Sequence, residues 1–536
     1  MATLNLVLIL LIAVVLGSWI SRLVPQVAPP LVQIALGAVM GRLGIDAVSI
    51  NPDLFFVLFL PPLLFVDGWR FSGHELIARA GPIASLAVGL VLVTVLCVGP
   101  ALHALLPQMP LVATLALVAV LSPTDAIAAT SLLRPSPLSH RAGRIIEGEA
   151  LLNDASALLC LHYVLVLGAA RAASGPVIVS DLLWLGAGGF AIGAGVGLVI
   201  LSLKNAILAR LGETTATQIL ISLLFPYAAY HAAVMLGASG ILAPVAAGIV
   251  MGRWELGGKA LPLTRLRRAA IWDTLEFTLN GIIFILLGEQ LPGIVEKALA
   301  EAPALLLGLS IAAAFLALTL VRLIWVAGML ARHARHEPCH SNGTLRLLTI
   351  LAMTFSGVRG AVTLAAALAL PAVLPGGSPF PSRDLIIAIA AGVIVTSLVV
   401  ANVALPLLAG PLAAAAGEEG KQPQHVARLR TARAAIAAVE RMMREADAPQ
   451  GTALPWEEAG ATVLSSYRRQ VERLSAAEED RNAAEQLGLT ERRLRLAGLH
   501  AQRAEITRMV SEHLIDNETA RRLLLELDGQ EAWLVS

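Results

Sequence analysis

Between polar breaks, the first 410 residues fall into largely apolar runs at 4–21, 28–45, 52–68, 82–106, 110–132, 145–169, 181–203, 215–236, 239–252, 270–291, 303–330, 346–371 and 384–410. A bilayer core takes about 20 apolar residues per helix, with a range near 17–25. The runs therefore predict an all-α polytopic membrane protein of about 13 transmembrane helices, with 239–252 short enough for a tilted or partial crossing. Composition agrees: 57% of residues are hydrophobic, 14% are charged, and mean hydropathy is +0.76, whereas soluble domains carry about 25% charged residues. About half of all charged residues follow residue 415. The chain thus divides into a transmembrane domain (1–411), a linker (412–423) and a cytosolic helical C-terminal domain (424–536). The tail's amphipathic stretches lie near 424–446, 455–486, 490–513 and 517–534. They read either as a solvated bundle or as a regulatory or dimerising domain. Three cysteines give no disulfide framework. A net charge of +1 makes no case for nucleic acid. With no basic n-region or A-x-A pattern, residues 4–19 read as a retained first span.

Loop charges orient the chain. With the N-terminus outside, the inner loops hold Arg22, Arg70, Arg79, Arg134, Arg141, Arg144, Lys204, Arg210, Arg253, Lys259, Arg265, Arg267, Arg268, Arg332, Arg335 and Arg346. The outer loops hold only Arg42, Arg171, Lys297 and Arg383. This excess of about four to one follows the positive-inside rule. It predicts an odd number of spans and a cytosolic C-terminus.

The chemistry sits in 145–160, where Glu149, Asn153 and Asp154 interrupt an apolar, membrane-grade stretch. Ionisable residues at a helix centre cost roughly 2.5–3.5 kcal/mol each on insertion scales and mark ion or proton paths. Glu149 and Asn153, four apart, share one helix face, and Asp154 is turned by about 100° toward a neighbour. The preceding run contains Ser122-Pro-Thr-Asp125. Proline removes a backbone donor and clashes with the previous turn, and broken backbone in lipid is tolerated only inside protein or beside a water-filled cavity. Asp125 lies nine residues before Arg134, and Asp154 ten after Arg144. At 1.5 Å per residue both sit about 14 Å above the inner edge, so adjacent antiparallel helices bring them together.

A second polar break, Thr354-Phe-Ser-Gly-Val-Arg-Gly360, interrupts the twelfth run. Ser122 and Ser356 each precede a charge by three residues, and the two segments lie seven spans apart, hence antiparallel. That is the layout of inverted repeats with paired broken helices. Asp125 suits the positive half-helix ends. Arg359 suits either the negative ends or a pair with Glu149.

Gly148-Glu-Ala-Leu-Leu-Asn-Asp154, Ser122-Pro-Thr-Asp125, Ser356-Gly-Val-Arg-Gly360 and Phe284-Ile-Leu-Leu-Gly288 together resemble the monovalent cation:proton antiporters of the NhaP/NHE type. The resemblance covers the whole membrane part, in order, and the charged tail fits it. It implies a homodimer in the cell membrane, with a dimerising half and a mobile core of six helices holding two crossed, broken helices. It implies exchange of Na⁺, K⁺ or Li⁺ for protons, serving pH and sodium homeostasis, with no cofactor, resident metal or enzymatic activity. Asp154 is then the exchanging carboxylate, supported by Asn153, Thr124 and Asp125, and Glu149 pairs with Arg359. Ala150 departs from the pattern, because many relatives place a serine there whose hydroxyl can touch the ion. Asp67 stands where relatives often carry Glu, and Asp67 with Glu276 marks a candidate cytosolic entrance; a surface position beside Arg70 is the alternative for Asp67.

His162 is expected to be hydrogen-bonded in the bundle. The His333-x-x-His336-x-x-Cys339-His340 loop has metal-like spacing but reads as a polar loop. Two other functions compete: a solute symporter on a related inverted-repeat fold, and a membrane sensor or scaffold acting through its tail.

Overall fold

The computed structural model describes residues 2–44, 52–71, 73–125, 140–168, 184–211, 214–256, 262–334, 343–371, 373, 380–416, 422–445, 453–475, 478–512, 514 and 517–535. They form two compact units, Met1–Gly417 and Glu418–Ser536.

In the first unit, beside a short helix at Gly73–Ala78 and a π-type turn at Trp184–Gly188, the helices are α1 (Ala2–Leu23), α2 (Pro29–Arg42), α3 (Pro52–Arg70), α4 (Ala80–Leu105, with a wider π-type turn at Ser85–Leu90), α5 (Leu111–Leu121), α6 (His140–Gly168), α7 (Gly189–Leu211), α8 (Thr215–Met235), α9 (Leu242–Leu256), α10 (Pro262–Glu301), α11 (Ala304–Ala334), α12 (Gly343–Phe355), α13 (Ala361–Leu368) and α14 (Arg383–Ala416). Among the described residues, seven helices are long and apolar enough to cross a bilayer, within α4, α6, the α7 region, α8, α10, α11 and α14. Most of the others are shorter for identifiable reasons. α5 and α12 stop at the polar breaks, and α2 and α9 have only 14 and 15 residues. Polar groups close one such end: the Asn402 side chain accepts from Ala28 N (2.8 Å) and donates to the Gln26 carbonyl (2.9 Å), tying the start of α2 to α14.

The closest packing joins α2 to α10 and α3 to α9. Glycines make both contacts possible. A Cβ on Gly37 or Gly41 would run into the carbonyls of Ile285 or Glu289, and one on Gly288 into that of Ile34. In the second pair, Gly68 faces the Val245 carbonyl and Gly248 that of Phe65. Lipid tails are as apolar as leucine, so membrane helices gain cohesion by close backbone approach at small residues. Gly288→Ala is therefore expected to cost about 1–3 kcal/mol, as overpacking does. Gly293→Ala, on the same helix with open space around it, is expected to be neutral or to gain up to about 1 kcal/mol of helix propensity. Thermal unfolding in detergent checks this; equal effects at the two sites would mean that α2 and α10 do not touch there.

The neighbour relations also obey a rule. With α12 and α13 taken as halves of one span, exchanging each helix with the one seven spans away maps α2–α10 onto α3–α9, α1–α2 onto α8–α9, and α1–α10 onto α3–α8. It likewise maps α4–α5 onto α11–α12, and α5–α6 onto the packing of α12 and α13 on α14. An odd offset reverses chain direction, so this is an inverted repeat, and α7 stands between its halves.

In the second unit the helices are α15 (Gln422–Glu445), α16 (Ala453–Ser475), α17 (Glu478–Ser511) and α18 (Asn517–Val535). Three boundaries differ from the sequence expectation. The stretch expected as one helix over 455–486 is divided, α16 ending at Ser475 and α17 starting at Glu478. α14 runs into the stretch expected as linker, because Ala413–Ala416 are the strongest helix formers. α17 continues through Gly488, whose cost of about 1 kcal/mol in a helix interior is too small to end it.

Candidate ion-exchange site

The two polar breaks meet. α5 ends at Ser122-Pro123, where proline supplies no backbone donor and disfavours a helical residue before it. The Ser122 hydroxyl donates back to the Val118 carbonyl at 2.8 Å. Four residues, 122–125, then run without helix. Opposite them α12 ends at Phe355, and α13 resumes at Ala361. The Asp125 amide donates to the Val358 carbonyl at 2.7 Å, so the two broken stretches bond backbone to backbone. Gly360 lacks the Cβ that would collide with the Asp125 carboxylate. Those of Asp125 and Arg359 are thus adjacent segments, as crossed half-helices require.

Arg359 is buried, and its guanidinium donates to the carbonyls of Ser122 (2.6 Å) and Pro123 (3.0 Å). Its amide donates to the Ser397 hydroxyl of α14 at 3.0 Å. It therefore serves the negative end of α5, whose last carbonyls have no intrahelical partner.

The expected Glu149–Arg359 pair is corrected accordingly. Glu149, 1% exposed, is gripped by Arg322 of α11: Nη2 donates to Oε2 at 2.8 Å and Nη1 to Oε1. Arg322 Nε also donates to the Met353 carbonyl at 3.0 Å, which spans the last turn of α12. A fork-shaped guanidinium can satisfy a carboxylate with two parallel bonds, and Gly357 leaves room for its stem. Arg322 was missed in the sequence. Its signal was present, namely a lone arginine in the apolar run 303–330 with no acid nearby in the chain.

From this anchor a hydrogen-bond chain runs to α6. The Thr124 hydroxyl reaches toward Glu149 Oε1 at 3.5 Å, and Asn153 Nδ2 donates to the Thr124 oxygen at 2.6 Å. The Asn153 amide is thereby oriented, and its buried carbonyl oxygen has no hydrogen-bond partner among the described residues. Asp154, the next residue, is 6% exposed. Asp125 and Asp67 are the acids whose charge reaches it. Among the described residues no ion pair engages Asp154. The arrangement collects acidic and neutral oxygens around a broken-helix crossing and keeps the two buried arginines at the crossing, Arg322 and Arg359, occupied elsewhere. That chemistry suits a small desolvated cation or a proton.

At the C-terminal end of α3 and in the N-terminal half of α10, Arg70 joins Asp273 and Glu276 at 2.6 Å each. Asp67 is only partly exposed and feels the charge of Glu276, Asp125 and Arg70. Asp273 is exposed and Glu276 buried, so the carboxylates form a line from the rim inward. His162 is exposed, with Tyr163 edge-on at 5.6 Å, and among the described residues no hydrogen bond holds it in the bundle. His336, Cys339 and His340 lie outside the described residues.

Comparison with known proteins gives the same answer by another route. Residues 7–409 match the family described as "Sodium/hydrogen exchanger, transmembrane". The chain is 36% identical over 554 residues to the uncharacterized Na(+)/H(+) exchanger YjcE of Escherichia coli, covering 99% of this chain and 98% of that one. It is 34% identical to the sodium, potassium, lithium and rubidium/H(+) antiporter of Bacillus pumilus, covering 96% and 76%. In fold it is similar to the solved sodium proton antiporter MjNhaP1 from Methanocaldococcus jannaschii, with a TM-score of 0.54 at 18% identity over 77% of this chain and 99% of the other. The chain belongs to the sodium/hydrogen exchanger family.

Proposed function

We propose that this exchanger swaps one monovalent cation for one proton at Asp154, and that the exchange moves no net charge. The observation that carries the proposal is a buried acid beside a broken-helix crossing, next to an orphaned amide oxygen, with both nearby arginines already engaged. A carboxylate held away from water carries either a proton or a cation, and the two compete for the same oxygens. Exposing the site alternately to each side gives antiport driven by gradients alone. Asn153 cannot titrate, which leaves one exchanging carboxylate, while Asp125 stays charged at the crossing. Thr124 and Asn153 orient the site, and the Glu149–Arg322 pair with Arg359 holds the frame. Asp67 and Glu276 line the inner approach.

Na⁺ is the foremost cation, with K⁺ and Li⁺ as alternatives. The Bacillus pumilus relative is named for several alkali cations, and Ala150 supplies no side-chain oxygen to discriminate among them. The protein works in the cell membrane as a homodimer of thirteen-span subunits, N-terminus outside and tail in the cytosol, in pH and sodium homeostasis. Loop charge supports this orientation. Family membership leaves the symporter and tail-borne sensor readings without support.

Reconstitution tests the stoichiometry. With the potential clamped by potassium and valinomycin, Na⁺-driven proton flux is expected to be the same at every voltage. A rate climbing steadily with voltage would show that more than one proton moves per ion. Repeating the flux with K⁺ and Li⁺, in a medium that leaves the potential unclamped, reads the ion preference.

A further inference from the structure

We propose that the outer face of α15 docks on anionic phospholipid headgroups at the bilayer surface from which α14 emerges. Arg430, Arg433, Arg441 and Arg444, with Ala437 between them, fall within an arc of about 80° on a helix of 3.6 residues per turn. All five are exposed. The opposite face is committed to the bundle. Ala432 is buried, Ile436 and Val439 are half-buried, and Met443 lies against Gly460 of α16. Glu440, beside the stripe, is turned to Arg468 of α16 at 3.2 Å.

The clustering of unpaired charge separates this face from an ordinary solvated one, since elsewhere in the tail only isolated arginines such as Arg469 and Arg493 lack an ion pair among the described residues. Elsewhere in the tail, Arg468, Arg495, Arg503 and Arg508 each pair with carboxylates. Among the described residues, none of the four stripe arginines has an ion pair. An uncompensated basic stripe needs an anionic partner, and chain connectivity selects which one. Only residues 417–421 separate α15 from α14, a reach of about 20 Å even when fully extended. A guanidinium fork matches phosphate oxygens, and a basic segment just beyond a last span is drawn to anionic headgroups within a Debye length. Docking makes the position of the tail depend on bilayer charge and ionic strength, whichever cation the site exchanges.

The full chain tests this. Cys97, Cys160 and Cys339 are replaced by Ser, and Ala437→Cys carries a fluorophore at the centre of the stripe. The protein is placed in nanodiscs with a headgroup-attached quencher, of phosphatidylcholine alone or with added phosphatidylglycerol. Quenching is expected in the anionic discs, to fade with added salt, and to be weak in the neutral ones. Each arginine near an anionic surface contributes about fivefold to binding, so Arg430→Gln with Arg433→Gln is expected to lower the docked-to-undocked ratio about 25-fold. Arg428→Gln, on the other side of the helix, is expected to change it less. Equal quenching in the two discs, quenching insensitive to salt, or a double variant like wild type overturns the proposal. So does quenching that requires two copies in one disc, which assigns the stripe to a second copy of the chain.

Discussion

Asp154→Asn is expected to reduce cation-driven proton flux to the level of empty proteoliposomes while leaving the protein inserted and folded. The change removes one negative charge and almost no volume. Asp154 makes no ion pair among the described residues, so its loss strands no partner. This separates it from most buried acids, whose removal leaves a cation uncompensated in low dielectric. Folding is checked by a monodisperse profile and an unchanged melting temperature in detergent, and exchange by a pH-sensitive dye with Na⁺, K⁺ and Li⁺ in turn. Substantial flux through a folded Asp154→Asn would remove Asp154 from the exchange step and shift the assignment to Asp125. The same two measurements on Asn153→Ala ask whether the orphaned amide oxygen matters. Weaker cation affinity with a preserved fold is the expected result.

The second large effect is on stability. Glu149→Gln and Arg322→Met are each expected to destabilise the protein by about 3–5 kcal/mol, because each leaves the other member buried and unpaired. The double variant is expected to lose clearly less than the sum of the two, since contacting residues couple. Arg359 provides the contrast. Arg359→Met removes the donor to the Ser122 and Pro123 carbonyls, and its loss is expected to be more nearly additive with Glu149→Gln than that of Arg322→Met. Thermal or denaturant unfolding of the six proteins, wild type included, decides this. Strong coupling of Glu149 to Arg359, with additivity toward Arg322, would restore the pairing expected from sequence.

Several features were legible in the sequence because they are local or obey chain-wide physical limits. The helical runs follow from bilayer thickness. The two breaks follow from Ser122-Pro123 and Ser356-Gly357 inside apolar stretches, where a polar or donorless residue has no other use. That the charge of Asp125 reaches Asp154 agrees with the equal depth expected of them on consecutive antiparallel helices. The inverted repeat was indicated by an odd offset of seven spans between the breaks.

Tertiary structure alone decided the partnerships. Glu149 had two buried cations within reach of its charge, and nothing in the spacing ranks Arg322, 173 positions away in the chain, against Arg359. The choice depends on which guanidinium can present a two-pronged fork while the other finds carbonyls to serve, and that is set by where α11 crosses α12. Arg70 shows the same limit. Three residues beyond Asp67 on one helix, it nevertheless bonds Asp273 and Glu276 on α10, because that helix presents two acids one turn apart. Glycine contacts such as Gly288 on Ile34 are invisible in sequence for a related reason: absence of a side chain carries no pattern until another backbone fills the space. By itself the sequence determined which residues are too costly to bury without purpose. The folded backbone decided how each is satisfied, because a charge in low dielectric is stabilised by whichever opposite group reaches it with the best geometry, regardless of distance along the chain.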